Sequence, residues 1–143
     1  MTGSDSVRVW SAAEATELLG APTVDLDLGA LRDVPVLVID DIAHARPLAQ
    51  ALVQGGLPAL EVTLRTPCAL DAIRVMAEVE GGVVGAGTLL TPADVKAAKA
   101  AGAKFGVSPG ATQRLLDACA EYELPLLPGA VTASEVMALL EMG

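Results

Sequence analysis

A glutamate and an arginine four residues apart, in Leu60-Glu61-Val62-Thr63-Leu64-Arg65-Thr66, carry the chemistry this chain most directly offers. Side chains alternate along a strand, so Leu60, Val62 and Leu64 fall on one face and Glu61, Thr63 and Arg65 on the other. Strands of a parallel sheet are usually covered on both faces and read as continuous apolar runs. A carboxylate and a guanidinium on such a strand are costly unless paired or employed. The plain structural alternative is an exposed edge strand with a solvated Glu-Thr-Arg face. Employed, Arg65 can hold a carboxylate or phosphate through two parallel hydrogen bonds. Glu61 in apolar surroundings has its pKa raised towards neutrality, where a general acid/base works best. The pair describes an acid/base site for a small organic anion.

Three later segments place small or polar residues at the ends of apolar runs: Gly85-Ala86-Gly87-Thr88, Ser108-Pro109-Gly110 and Pro128-Gly129. Glycines at such tips let a ligand approach the backbone. Each segment alone is also an ordinary tight turn. Their recurrence on successive units predicts one polar ring, with Thr63, Gly87, Ser108 and Pro128 lining a pocket beside Glu61, Arg65 and Thr88.

The elements that position this ring follow from a repeat. From about residue 34 a helix ending near a glycine leads into a short apolar strand every 20 to 26 residues, with Gly56, Gly82 and Gly102 before three of the strands and Glu123 in the same place before a fourth. Strands are predicted near 34–39, 59–65, 83–88, 104–108 and 124–128, and helices near 42–55, 67–79, 92–101, 111–122 and 132–142. Thr66-Pro67, Thr91-Pro92 and Thr132 read as N-caps, and Thr132-Ala-Ser-Glu135 as a capping box. Residues 1–33 differ: Ser11-Ala-Ala-Glu14 opens a helix that ends at Gly20, and Val24-Asp-Leu-Asp-Leu28 reads as a linker. Residues 34–143 form the main domain. Alternating strands and helices with short loops imply a parallel sheet with right-handed crossovers, either open and doubly wound or part of a (βα)8 barrel. No Gly-x-Gly-x-x-Gly and no P-loop supports a nucleotide-binding open sheet. Polar residues at the C-terminal strand ends, where barrel active sites collect, favour the barrel.

Composition narrows the partners. The chain has 143 residues, 52% of them apolar, which is one domain or a piece of a larger one. A formal charge of −9 and only three aromatic residues (Trp10, Phe105, Tyr122) repel a phosphate backbone and offer no stacking platform, so nucleic acid is excluded as a partner. Apolar runs such as Val34–Ile39 have strand length, and no leader pattern opens the chain, which predicts a soluble cytoplasmic protein with no membrane partner. Cys68 and Cys119 stand in no metal or redox spacing and read as buried reduced thiols. His44 is the single histidine and has no ligand cluster around it, so no metal and no cofactor is expected.

Four segments in order and spacing carry a family resemblance: Leu60-Glu-Val-Thr-Leu-Arg-Thr66, Val84-Gly-Ala-Gly-Thr88, Phe105-Gly-Val-Ser-Pro-Gly110 and Leu127-Pro-Gly-Ala-Val-Thr132. From about residue 34 onwards the chain resembles the 2-keto-3-deoxy-6-phosphogluconate (KDPG) and 4-hydroxy-2-oxoglutarate (KHG) aldolases. The resemblance implies a class I aldolase, a (βα)8 barrel assembled as a trimer, that forms a lysine Schiff base with pyruvate and exchanges it with glyceraldehyde 3-phosphate or glyoxylate. It makes Glu61 the general acid/base, assigns Arg65 and Thr88 to the pyruvate carboxylate, and puts Pro109 in the pocket wall.

The chain also departs from that pattern. The family's lysine lies in a Lys-Phe-Phe-Pro-like segment on the sixth strand, a few residues past the position of Met142-Gly143. Lys96 and Lys99 fall on a helix predicted to face solvent, and Lys104 starts a strand at the opposite end from Glu61. These 143 residues are therefore expected to contain about the first five βα units and to be inactive alone. Ile39-Asp40-Asp41 places acidic groups where some relatives carry a basic residue. Two rival readings are a non-catalytic remnant and a small flavodoxin-like domain binding an anion at its glycine turns.

Overall fold

The computed structural model describes residues 33–142; the predicted helix from Ser11 to Gly20 and the linker at Val24–Leu28 lie outside the described residues. Five strands, β1 (Val36–Leu37), β2 (Ala59–Thr63), β3 (Val83–Gly87), β4 (Phe105–Ser108) and β5 (Leu126–Pro128), form one sheet. They alternate with α1 (Ala45–Gln54, preceded by a 3-10 turn at Ile42–His44), α2 (Ala69–Ala77), α3 (Pro92–Ala101), α4 (Gln113–Glu121) and α5 (Ala133–Met142). Each element predicted from residue 34 onwards is present, with ends trimmed by up to three residues; β1 is left with two paired residues, and the first of these predicted helices opens as the 3-10 turn.

Every strand pair is parallel and the sheet order is β1-β2-β3-β4-β5. A flavodoxin-like sheet reverses its order at a switch point so that helices cover both faces. Here there is no reversal, which overturns the flavodoxin-like reading. Leu60 and Val62 of β2 and Val84 and Ala86 of β3 share one core with Ile73 and Met76 of α2, Val95 and Ala98 of α3, and Leu115 and Cys119 of α4. The helices thus stack on one face, as in consecutive units of a (βα)8 barrel.

The register sets the opposite, inner face. Glu61 is level with Gly85 on β3, Gly85 is level with Phe105 on β4, and Thr63 is level with Gly87 one row nearer the C-terminal ends. Glu61, Thr63 and Phe105 are all buried there.

Local signals explain the boundaries. Thr91 caps α3 through a full capping box with Asp94, with Pro92 in the first turn, and α3 ends on Gly102 at a left-handed φ of 101°. Glu123 takes the same structural place after α4 with a φ of 49°, as the repeat predicts, and Lys99 Nζ donates to its carbonyl at 2.7 Å. Thr132 and Glu135 form the predicted capping box of α5. The expected N-cap at Thr66 is a correction. Its hydroxyl donates instead to the Ile39 carbonyl at 2.6 Å, so α2 starts two residues later than predicted, behind Cys68 and without a side-chain cap. Thr66 and Cys68, whose thiol donates to the same carbonyl at 3.0 Å, tie the loop after β2 to the end of β1.

Candidate active site

The C-terminal half of β2 builds the site because β3 lacks side chains beside it. A Cβ at Gly87 would fall within the space of the Glu61 Oε1, Cδ and Cγ atoms, and a Cβ at Gly85 would fall within the Phe105 ring. The two glycines therefore make room for neighbouring side chains. Glu61 leans in from β2 and Phe105 from β4. This revises the expectation that the glycines serve ligand approach: the positions over their Cα atoms are filled by protein.

Glu61 is 8% exposed. Burial pushes its carboxyl above the ordinary 4.5, and the Arg65 guanidinium, which favours the ionised form, only partly offsets this. Two residues past β2, Arg65 is exposed and its Nε donates to Thr88 Oγ1 at 3.3 Å. Thr88 sits in the left-handed region at φ 64°, which is unusual for a β-branched residue and costs on the order of 1–2 kcal/mol. The Leu64 N–H donates to the Gly87 carbonyl at 2.9 Å, which locks the ends of β2 and β3 together and holds Thr88 against Arg65.

Four of the predicted residues, Glu61, Arg65, Gly87 and Thr88, are thus brought together. Thr63 lies on the same face, but its hydroxyl donates to the Leu37 carbonyl at 3.1 Å, so it joins β2 to β1. The Ser108 hydroxyl is likewise taken up, donating to the Gly110 carbonyl at 2.6 Å. Pro109 is exposed and Pro128 half-buried on the next two strand ends, where the Gly129 N–H donates to the Ser108 carbonyl at 2.8 Å. Sequence reasoning missed the packing of Phe105 onto Gly85; the signal was the pairing of Gly-x-Gly with a phenylalanine one strand on.

A shallow cavity of about 140 Å³ between α4 and α5, lined by Leu116, Leu139 and Met142 among others, includes neither Glu61, Arg65 nor Thr88. Among the described residues no three His, Cys, Asp or Glu side chains converge, and no helix is long and apolar enough to cross a membrane. Lys96, Lys99 and Lys104 are all exposed.

The raised pKa of Glu61 has a consequence for stability. The folded state holds this proton more tightly than the unfolded chain does. Its contribution is therefore complete below about 4.5 and is lost as pH rises through the folded value. Glu61→Gln removes the buried charge, so its Tm should exceed that of the parent at pH 7, and the gain should vanish below pH 4.5. Melts across this range check it; a parent at least as stable as the variant at pH 7 overturns the desolvation argument.

A buried carboxyl with a raised pKa thus lies near an arginine hydrogen-bonded to a threonine at adjacent strand ends, and the chain that carries them is similar to known proteins. The family model "KDPG and KHG aldolase" matches residues 24–143. The chain is 54% identical over 110 residues to the 2-dehydro-3-deoxy-phosphogluconate aldolase of Zymomonas mobilis, covering 77% of this chain and 53% of that protein. It is 51% identical over 111 residues to the KHG/KDPG aldolase of Escherichia coli K12, covering 77% and 52%. Among solved structures, the Zymomonas mobilis ZM4 2-keto-3-deoxy-6-phosphogluconate aldolase with 3-phosphoglycerate superposes with a TM-score of 0.74 at 55% identity, covering 77% of this chain and 53% of that one. The KDPG aldolase of Legionella pneumophila, with pyruvate captured at low pH as a covalent carbinolamine, superposes with 0.72 at 46% identity over 77% and 54%. The chain spans about half the length of the curated relatives it matches. On its sequence, its sheet order and these matches, it belongs to the KDPG and KHG aldolase family.

Proposed function

We propose that these residues form the acid/base and carboxylate-binding side of a class I aldolase site. That site would cleave 2-keto-3-deoxy-6-phosphogluconate to pyruvate and glyceraldehyde 3-phosphate, or 4-hydroxy-2-oxoglutarate to pyruvate and glyoxylate. The observation that carries the reading is Glu61, buried over Gly87 beside the Arg65–Thr88 pair. In this reading Arg65 and Thr88 hold the pyruvate carboxylate, which fixes C2 and C3 beside Glu61. Glu61 then passes a proton to and from the carbinolamine oxygen and the enamine carbon, a task suited to a carboxyl with a raised pKa. Gly87 leaves the space this carboxyl needs. Pro109, Pro128 and the loops after β4 and β5 line the far wall, while Thr63 and Ser108 hold the strand ends in place. A cytoplasmic homotrimer is the assembly this reading carries with it.

The amine that forms the Schiff base is a separate matter. A catalytic lysine needs a desolvated pocket that depresses its pKa, and Lys96, Lys99 and Lys104 are exposed. That observation favours a second reading of the 143 residues taken alone, as a non-catalytic remnant that binds a keto acid at most weakly. Incubation with pyruvate and borohydride, followed by intact-mass measurement, separates the two. No pyruvyl adduct is expected on this chain alone. A stoichiometric adduct on any of its three lysines would overturn the assignment of the amine to other residues.

A further inference from the structure

A carboxyl is held in its neutral form by burial only where water is kept from it, and the geometry singles out one side chain for that task at Glu61. Glu61, Gly85 and Phe105 stand level on three adjacent strands about 4.8 Å apart. Phe105 is fully buried, and its Cδ2, Cε2 and Cζ atoms occupy the space over Gly85. The ring therefore crosses β3 towards β2. The Glu61 carboxyl leans over Gly87, one row nearer the C-terminal ends, so ring and carboxyl occupy successive rows of the same inner face. We propose that Phe105 is a positioning residue for Glu61, its ring forming an apolar floor that both blocks water and keeps the carboxyl tilted up over Gly87.

This inference rests on the acid/base reading of Glu61 for its purpose, though its physical claim does not. The charged group that acts on Glu61 is Arg65, from the end of its own strand. β1, β3 and β4 carry no titratable residue, and Asp40 beyond β1 and Lys104 before β4 are exposed. The ring is thus the principal means by which the neighbouring strands influence this carboxyl. An aromatic suits the task because it spans a whole strand spacing as a rigid apolar plate with two rotatable bonds.

The test follows the protonated-carboxyl C=O stretch of Glu61 by infrared titration of the 143-residue chain, the band being identified by its loss in Glu61→Gln. Phe105→Leu, which keeps apolar cover, should leave the midpoint close to that of the parent. Phe105→Ser should move it to lower pH. If Phe105→Ser loses its cooperative melt, Phe105→Tyr decides, because the added hydroxyl extends the ring towards β2 at unchanged bulk and should also lower the midpoint. Midpoints that coincide in the parent and in folded Ser or Tyr variants overturn the proposal. A shifted midpoint in a protein that shows no aldolase chemistry when completed by a relative's remaining units would defeat the aldolase reading and leave the ring's role intact. Normal chemistry with unmoved midpoints would do the reverse.

Discussion

Glu61→Gln should slow aldol cleavage by about 10²-fold or more, the usual scale for a positioned acid/base, in a chimera whose remaining βα units come from the Zymomonas mobilis relative. The chain is 54% identical to the part of that relative it would replace, so the join asks little of the packing. Glutamine keeps the shape and hydrogen-bonding reach of glutamate but cannot carry the proton. Borohydride-trapped pyruvate should therefore form more slowly as turnover falls, because the same carboxyl serves the carbinolamine. Arg65→Ala should differ in kind. In the proposed reading its guanidinium, hydrogen-bonded to Thr88, holds a carboxylate that is present in ground state and transition state alike, so its loss should raise KM much more than it lowers kcat. The pH profile separates the roles further: the limb set by Glu61 should lie above the ordinary carboxylate range and disappear in Glu61→Gln. Unchanged turnover in Glu61→Gln, or a fall in kcat confined to Arg65→Ala, would exchange or cancel the two assignments.

What was legible in advance depended on how locally each feature is encoded. Glu61, Arg65 and Thr88 could be read because alternation and strand-tip position are short-range rules, and the four spaced segments carried the family. The N-cap at Thr91 and the capping box at Thr132 were legible for the same reason. Thr66 misled because its best partner, the Ile39 carbonyl, lies 27 residues away and nothing local announces it. Gly85 and Gly87 were recognised as open positions, but what fills them depends on register with β2 and β4, a tertiary property. The choice of a barrel-like over a doubly wound sheet was legible in the polar strand ends, and the unreversed strand order agrees with it.

The 143-residue chain by itself should not persist as a rigid monomer at tens of micromolar. Among the described residues β1 pairs only with β2 and β5 only with β4, so both ends of the sheet offer unpaired backbone. Apolar side chains gather at those ends: Val36 and Val38 are exposed at β1, Leu127 at β5, and Val131 is 90% exposed just beyond it. Helix α5 buries none of its residues and presents Val136, Met137 and Leu140, the last 76% exposed. Covering even a few hundred Å² at ~25 cal/mol per Å² is worth several kcal/mol, a large share of the stability of a small domain. The formal charge of −9 opposes association, but its reach is only about 8 Å at physiological salt, so added salt should strengthen the effect. Light scattering behind size exclusion should report dimers or larger species that grow with salt, and Met137→Glu with Leu140→Glu should reduce them by breaking the patch on α5. A monodisperse monomer with a sharp cooperative melt, unmoved by salt or by the two glutamates, would mean that these edges are already covered within the 143 residues.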